Sequence, residues 1–154
     1  MAAEVGHLDL AHDYAYEAAM VDLRDLHRNT RDGLHMASLA GTWSALVAGF
    51  GGMRDHHGQL SFDPALPDGL SRLRFSLRWH GARLHVTVQP RQVTYAVDGE
   101  PDTTVTVRHV GEEVEVRPDK PVTMGLHRRE PQLPRPKQPP GRTPVARGGT
   151  MRGR

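Results

Sequence analysis

The chain contains no cysteine among its 154 residues. This absence excludes a disulfide scaffold, a thiolate zinc site and a cysteine nucleophile. Long apolar runs are missing too, since no window approaches the roughly 18 apolar residues that a membrane-spanning helix needs. The first residues, 1–6, have neither the basic nor the apolar region of a signal peptide. The sequence therefore predicts a cytoplasmic protein with no membrane partner.

Acidic and apolar residues are scarce at the end of the chain. Residues 128–154 hold 8 Lys and Arg against the single acid Glu130, whereas residues 1–127 hold 12 Lys and Arg against 17 Asp and Glu. The apolar residues largely stop at Leu126, so the remainder cannot bury enough surface to offset its ordering entropy. We predict a disordered basic tail over residues 128–154. It has no aromatic side chain to stack on bases, and we expect no nucleic-acid partner.

Residues 1–52 have a helical pattern. Apolar side chains between Ala2 and Asp25 recur at spacings of three and four, which predicts an amphipathic helix with an interruption near His12. A second pattern, from Leu34 to Phe50, is apolar on one side and small on the other, so this helix needs neighbours nearly all round. Two helices cannot supply them. We expect that residues are missing upstream, and that the chain alone exposes the small-residue face and aggregates.

After Gly52 the apolar period changes from helical to two. At least five short strands, separated by turns at intervals of about ten residues, follow and predict an antiparallel β-sandwich over residues 53–127. Three glutamates near its end fit a charged edge that guards against unwanted strand pairing: Glu112, Glu113 and Glu115. The fold class is α+β.

The start of the second helix is a candidate anion site. His35 lies in its first turn, where backbone N–H groups lack helical partners and the helix dipole is positive. Such a terminus binds phosphate or carboxylate readily. Arg31 and Ser38 are close enough in sequence to assist. The alternative is structural: Asp32 caps the helix and the histidine packs.

Other candidate sites are weaker. The adjacent residues Asp55, His56 and His57 splay apart in a strand or turn, which does not suit one metal ion. The carboxylates between Glu4 and Asp25 fit the solvent face of one helix. No Ser-His-Asp arrangement can be read from the order of residues alone.

Two stretches of sequence resemble one known family. Residues 29–43 read NTRDGLHMASLAGTW, and residues 45–88 read ALVAGFGGMRDHHGQLSFDPALPDGLSRLRFSLRWHGARLHVTV. Both closely resemble the end of glycoside hydrolase family 65, where the last helices of an (α/α)6 barrel run into a small carboxy-terminal β-module. The similarity covers roughly Ala2 to Val122.

The resemblance implies phosphorolysis or hydrolysis of α-glucosidic disaccharides such as maltose, trehalose or kojibiose. It places His35, Ser38, Gly33 and Arg31 at the barrel mouth, where phosphorylases hold phosphate. Disaccharide and inorganic phosphate are then the ligands, no other cofactor is implied, and family members often form homodimers.

The family's general-acid glutamate matches nothing in this chain, so we expect no catalytic residue here and no activity of the chain alone. Two alternatives remain. The chain is a free-standing β-sandwich that binds a partner, or a subunit that completes a barrel made by another polypeptide.

Overall fold

The computed structural model describes residues 1–23, 33, 35–141 and 144. Two helices precede two four-stranded sheets, which confirms the α+β class. Within the described residues, no helix has the length and apolar character needed to cross a membrane.

Helix α1 spans Leu8–Leu23 and follows a series of turns at residues 2–6. The predicted interruption near His12 is wrong, because α1 continues through this residue. The His12 ring packs edge-on against Phe50, with ring centroids 6.2 Å apart. The break lies earlier, at Gly6, whose φ of 85° suits glycine.

Helix α2 spans Met36–Ser44 and continues into a π-helical turn over Ala45–Phe50. None of its nine residues is buried. Its large apolar side chains are exposed: Met36 is 70%, Leu39 46% and Trp43 52% accessible. The sequence predicted exposure of the small-residue face, whereas the large apolar side chains of the opposite face are also uncovered. The described residues do not supply the packing that a helix with such a surface needs.

Eight strands form a sandwich of two sheets. Sheet I has the strand order β1-β2-β6-β7 and sheet II the order β3-β4-β5-β8. Every pairing is antiparallel except β2 with β6, which is parallel. The strands are β1 Arg54–His56, β2 Gln59–Phe62, β3 Leu73–Trp79, β4 Ala82–Gln89, β5 Gln92–Asp98, β6 Val105–His109, β7 Glu112–Val116 and β8 Val122–Gly125.

The core of the sandwich comes from alternate residues of both sheets. Strand β4 alternates buried and less buried positions along its whole length, as a half-buried strand should. Tyr95 of sheet II and Phe62 of sheet I meet in this core with ring centroids 5.3 Å apart. The predicted glutamate edge is correctly placed, since β7 is an edge strand of sheet I.

A seam at the end of the π-helical turn joins the helices to the sandwich. Phe50 is 1% exposed, and its carbonyl accepts a hydrogen bond from Ala65 N–H at 2.9 Å. A Cβ on Gly51 would collide with the Val47 carbonyl and lie 2.9 Å from the ring of Phe75. The seam therefore requires glycine at position 51.

The first residues after the sandwich return to the helical part. The Arg129 guanidinium donates to the Ala3 carbonyl at 3.2 Å and to the Asp63 carbonyl at 3.0 Å, and it pairs with the Asp63 carboxylate at 2.5 Å. Gln132 N–H donates to the Val5 carbonyl at 2.9 Å. Composition placed these residues in a disordered tail, but the structure packs them across the junction. The division at residues 52 and 127 stays a prediction.

Replacing Arg129 with methionine removes this clasp and keeps much of the side chain's apolar stem. We expect a loss of about 2–3 kcal/mol in the free energy of unfolding, because three acceptors lose a charged donor in a side chain that is only 13% exposed. Denaturant unfolding followed by circular dichroism measures it.

The matched control is Arg128→Met. Its side chain is 79% exposed and its ion pairs with Asp68 and Glu130 are 3.8 and 3.7 Å long, so we expect a change below about 0.5 kcal/mol. Equal losses in the two variants would show that Arg129 does not clasp the junction.

Candidate functional site

The start of α2 has the open geometry of an anion site. His35 is its N-cap residue, with φ −82° and ψ 86°, and its side chain makes no capping hydrogen bond. Its carbonyl accepts the N–H groups of Ser38 at 2.9 Å and Leu39 at 3.1 Å. The N–H groups of Met36 and Ala37 precede these bonds and have no helical carbonyl to reach. Together with the helix dipole, they favour a negative charge at this end.

Gly33 leaves the approach to this helix start unobstructed. Its φ is 117°, a conformation that disfavours any side chain, and nothing lies within 4 Å of where a Cβ would be. The residue is exposed, so a ligand can reach its backbone. The structure thus brings Gly33 and the half-buried His35 to one open end of α2.

Ser38 has a different use from the one predicted. Its hydroxyl donates to the Ala18 carbonyl of α1 at 2.7 Å. Thr42 of the next turn donates to the Ser38 carbonyl at 2.8 Å. Because a hydroxyl carries one hydrogen, Ser38 cannot donate to an anion in this arrangement. It positions the helix start against α1. Arg31, the fourth predicted residue, lies outside the described residues.

A cleft of about 750 Å³ lies elsewhere, at the junction of the helices and the sandwich. Its rim mixes cations with carboxylates: Asp9, Asp68, Arg91, His127, Arg128, Arg129 and Glu130. None of the predicted phosphate-binding residues lines it. Among the described residues, no group of three or more His, Asp or Glu side chains is arranged to hold a metal ion.

A Ser-His-Asp row crosses three strands of sheet II. Ser76 Oγ lies 2.7 Å from His85 Nδ1, and His85 Nε2 lies 2.7 Å from the Asp98 carboxylate. Since the carboxylate only accepts, Nε2 carries the hydrogen and Nδ1 accepts from the serine. The row lies on the outer face of sheet II. It lines neither the cleft at the junction of the helices and the sandwich nor a second cleft near Arg54. It ties β3, β4 and β5 together.

A buried, hydrogen-bonded pair of side chains lies between the two sheets. Tyr95 donates through its hydroxyl to His109 Nδ1 at 2.9 Å, and His109 Nε2 donates to the Gly125 carbonyl at 3.3 Å. Burial raises the pKa of Tyr95 and keeps its hydroxyl a donor. The strand register, rather than the spacing of His85 and His109 along the sequence, determines what each histidine faces.

Two sequence profiles of one family match this chain. Residues 1–44 match the glycosyl hydrolase family 65 central catalytic domain, and residues 53–116 match the glycosyl hydrolase family 65 C-terminal domain. The start of α2 falls in the first match and most of the sandwich in the second. The chain belongs to glycosyl hydrolase family 65.

Individual relatives agree with this family. An uncharacterised glycosyl hydrolase of Mycobacterium tuberculosis is 61% identical over 152 residues, which cover 99% of this chain and 19% of that protein. An α,α-trehalose phosphorylase of Thermoanaerobacter brockii is 43% identical over 102 residues, covering 66% of this chain and 13% of the phosphorylase. The chain therefore spans about a fifth of the length of its relatives.

The fold also matches a solved structure. A putative kojibiose phosphorylase from the human microbiome superposes with a TM-score of 0.72 at 23% identity, covering 80% of this chain and 17% of that one. At this identity the likeness concerns the fold. It confirms the arrangement expected from the family resemblance, in which terminal helices run into a β-module.

The Ser-His-Asp row predicts a particular dependence of stability on pH. The hydrogen bond from His85 lowers the pKa of Asp98, and the charges of Arg83 and Arg74 act in the same direction. A carboxyl whose pKa is lower in the folded chain stabilises the fold above its unfolded pKa of about 3.9 and loses that effect as the pH falls through the folded value. Asp98→Asn should therefore lower the melting temperature at neutral pH, and the difference should vanish in acid.

Thermal unfolding at a series of pH values measures this difference. Asp102→Asn in the loop between β5 and β6 removes the same charge at an exposed position and is the control. A difference between wild type and Asp98→Asn that persists unchanged in acid would contradict the role given to the row.

Proposed function

We propose that this chain supplies the phosphate side of the active site of a family 65 enzyme that cleaves α-glucosidic disaccharides by phosphorolysis. The observation that carries the proposal is the start of α2, where Gly33 and His35 border backbone N–H groups that have no carbonyl partner within the helix. The likeness to a trehalose phosphorylase and to a putative kojibiose phosphorylase supports phosphate as the attacking group. Hydrolysis by the same family is the alternative.

The reaction needs different groups on the two sides of the bond that is cleaved. In an inverting reaction an acid protonates the leaving oxygen while the nucleophile attacks from the opposite side. The N–H groups of Met36 and Ala37 would hold a phosphate oxygen at the end of the helix dipole, and His35 would contact a second one. Ser38 acts indirectly, because its bond to the Ala18 carbonyl fixes the direction of the helix start. Arg31 completes the proposed set.

The acid is not assigned to any residue of this chain. The carboxylates of α1 include Asp9, Asp13 and Glu17, which follow one another at intervals of four residues along one helix. This arrangement is typical of a helix surface rather than of an acid placed opposite a nucleophile. We infer that the acid belongs to another part of the enzyme and that this chain alone is inactive. A cytoplasmic location and a homodimeric state stay predictions.

The proposal predicts that the 154-residue chain binds inorganic phosphate without turning over sugar. Backbone amide shifts of Gly33, Met36 and Ala37 should move on titration with phosphate. His35→Gln should weaken binding about tenfold, the effect of losing one charge-assisted hydrogen bond. The matched control is His57→Gln, in an exposed turn, which should leave binding unchanged.

Maltose, trehalose or kojibiose incubated with phosphate and the chain should yield neither glucose nor glucose 1-phosphate above a buffer control. Product release would contradict the assignment of the acid to another part of the enzyme. An affinity for phosphate that does not change in His35→Gln would contradict the phosphate site itself.

A further inference from the structure

The outer face of sheet II carries an excess of arginine. Arg74 and Arg78 of β3 and Arg83 of β4 are exposed, and Arg72 continues the same alternation just before β3. The other residues of this face are polar or small and include no Phe, Tyr or Trp: Ser76, His85, Thr87, Gln89, Gln92, Thr94, Ala96, Asp98 and Thr123. One carboxylate, that of Asp98, therefore faces four guanidinium groups.

These arginines differ from those of sheet I in their partners. On sheet I, Arg108 pairs with Glu113 at 3.3 Å and Arg117 pairs with Glu115 at 3.6 Å. In the part of the chain that the structure describes, Arg72, Arg74, Arg78 and Arg83 form no hydrogen bond or close ion pair. Asp98 lies opposite Arg83 in the pairing of β4 with β5 and offsets one of the four positive charges, so the face keeps a net positive charge.

The strand register places two of these arginines where they destabilise the pairing of β3 with β4. Arg78 lies directly opposite Arg83 in the antiparallel pair of β3 and β4. Like charges placed opposite each other on one face of a sheet repel and destabilise the pairing. An anion between the two guanidinium groups would remove this repulsion and would be held by two planar donor forks.

We propose that the outer face of sheet II is a docking surface for a short acidic segment of a partner protein. Arg74 and Arg78 are four residues apart, or roughly 13 Å along the strand, so carboxylates spread over a few residues of a partner can reach both. Hydroxyl and amide side chains between the arginines, such as Thr87, Thr94 and Gln89, can bond to the backbone of that segment.

The charge around the face favours a short acidic segment over a long polyanion. Residues 1–127 hold 12 Lys and Arg against 17 Asp and Glu, so the part of the chain that carries this basic face is acidic in total. A nucleic acid extending beyond the face would meet this repelling field, whereas a short segment would meet only the arginines. The face also has no Phe, Tyr or Trp on which a base could stack, and its one ring, that of His85, is held between Ser76 and Asp98.

Fluorescence anisotropy of a labelled oligo-glutamate peptide tests the proposal on the full 154-residue chain. The triple variant Arg74→Gln, Arg78→Gln, Arg83→Gln should weaken binding at least about tenfold, because the fixed charges that hold the peptide are gone. The control variant Arg135→Gln, Lys137→Gln, Arg142→Gln removes the same charge from the basic tail and should change binding less than about twofold.

Three outcomes would overturn the proposal. The first is no binding of oligo-glutamate, and the second is a loss of binding with the tail variant instead of the face variant. The third is tighter binding of a DNA duplex or heparin than of oligo-glutamate through the same arginines. If the triple variant does not fold, Arg78→Gln alone serves as the test. Circular dichroism melting should show Arg78→Gln to be no less stable than wild type, since it removes the repulsion from Arg83.

Discussion

The seam at Phe50 and Gly51 is the contact on which the rest of the structure depends. Phe50 is buried between α1 and the sandwich, accepts a hydrogen bond from Ala65, and meets the ring of His12. Gly51 allows the chain to turn against Phe75 without a clash. Because the π-helical turn ends here, the seam sets the direction of α2 relative to the sheets. The clasp of Arg129 holds the same junction from the other side.

Burial is lower along α2 than at this seam. Val47 and Phe50 are buried, Ala45 and Leu46 are half-buried, and no residue of Met36–Ser44 is buried. The proposed phosphate site therefore lies on a helix of which no residue is buried, and the bond from Ser38 to the Ala18 carbonyl ties its start to α1. A site must be held rigidly to act on a transition state. The described residues leave the large apolar side chains of α2 exposed, and relatives that contain a similar segment are about five times as long.

Periodicity was enough to predict the helices, the sandwich and the glutamate edge, since each follows from which residues must be buried. It misplaced the break in α1, because the turn depends on the backbone of Gly6 rather than on apolar spacing. The packing of Arg129 could not be predicted from composition, because composition counts its buried guanidinium as one more positive charge of the tail. His35 was predicted to lie in the first turn of α2 and is its N-cap residue, directly before that turn. The Ser76, His85 and Asp98 row could have been found by pairing residues outward from the His80-Gly81 turn, but the parallel pairing of β2 with β6 carries no local signal.

Backbone hydrogen exchange along the 154-residue chain tests most directly whether its stability ends at the seam. Amides of buried strands should exchange slowly through global unfolding, whereas amides of α2 should exchange rapidly through local opening. The π-helical turn at Ala45–Phe50 should be intermediate or slow, because its last residues are buried. Protection of Met36–Ser44 equal to that of β4 and β5 would contradict the account, since α2 would then be a complete part of the fold without further packing.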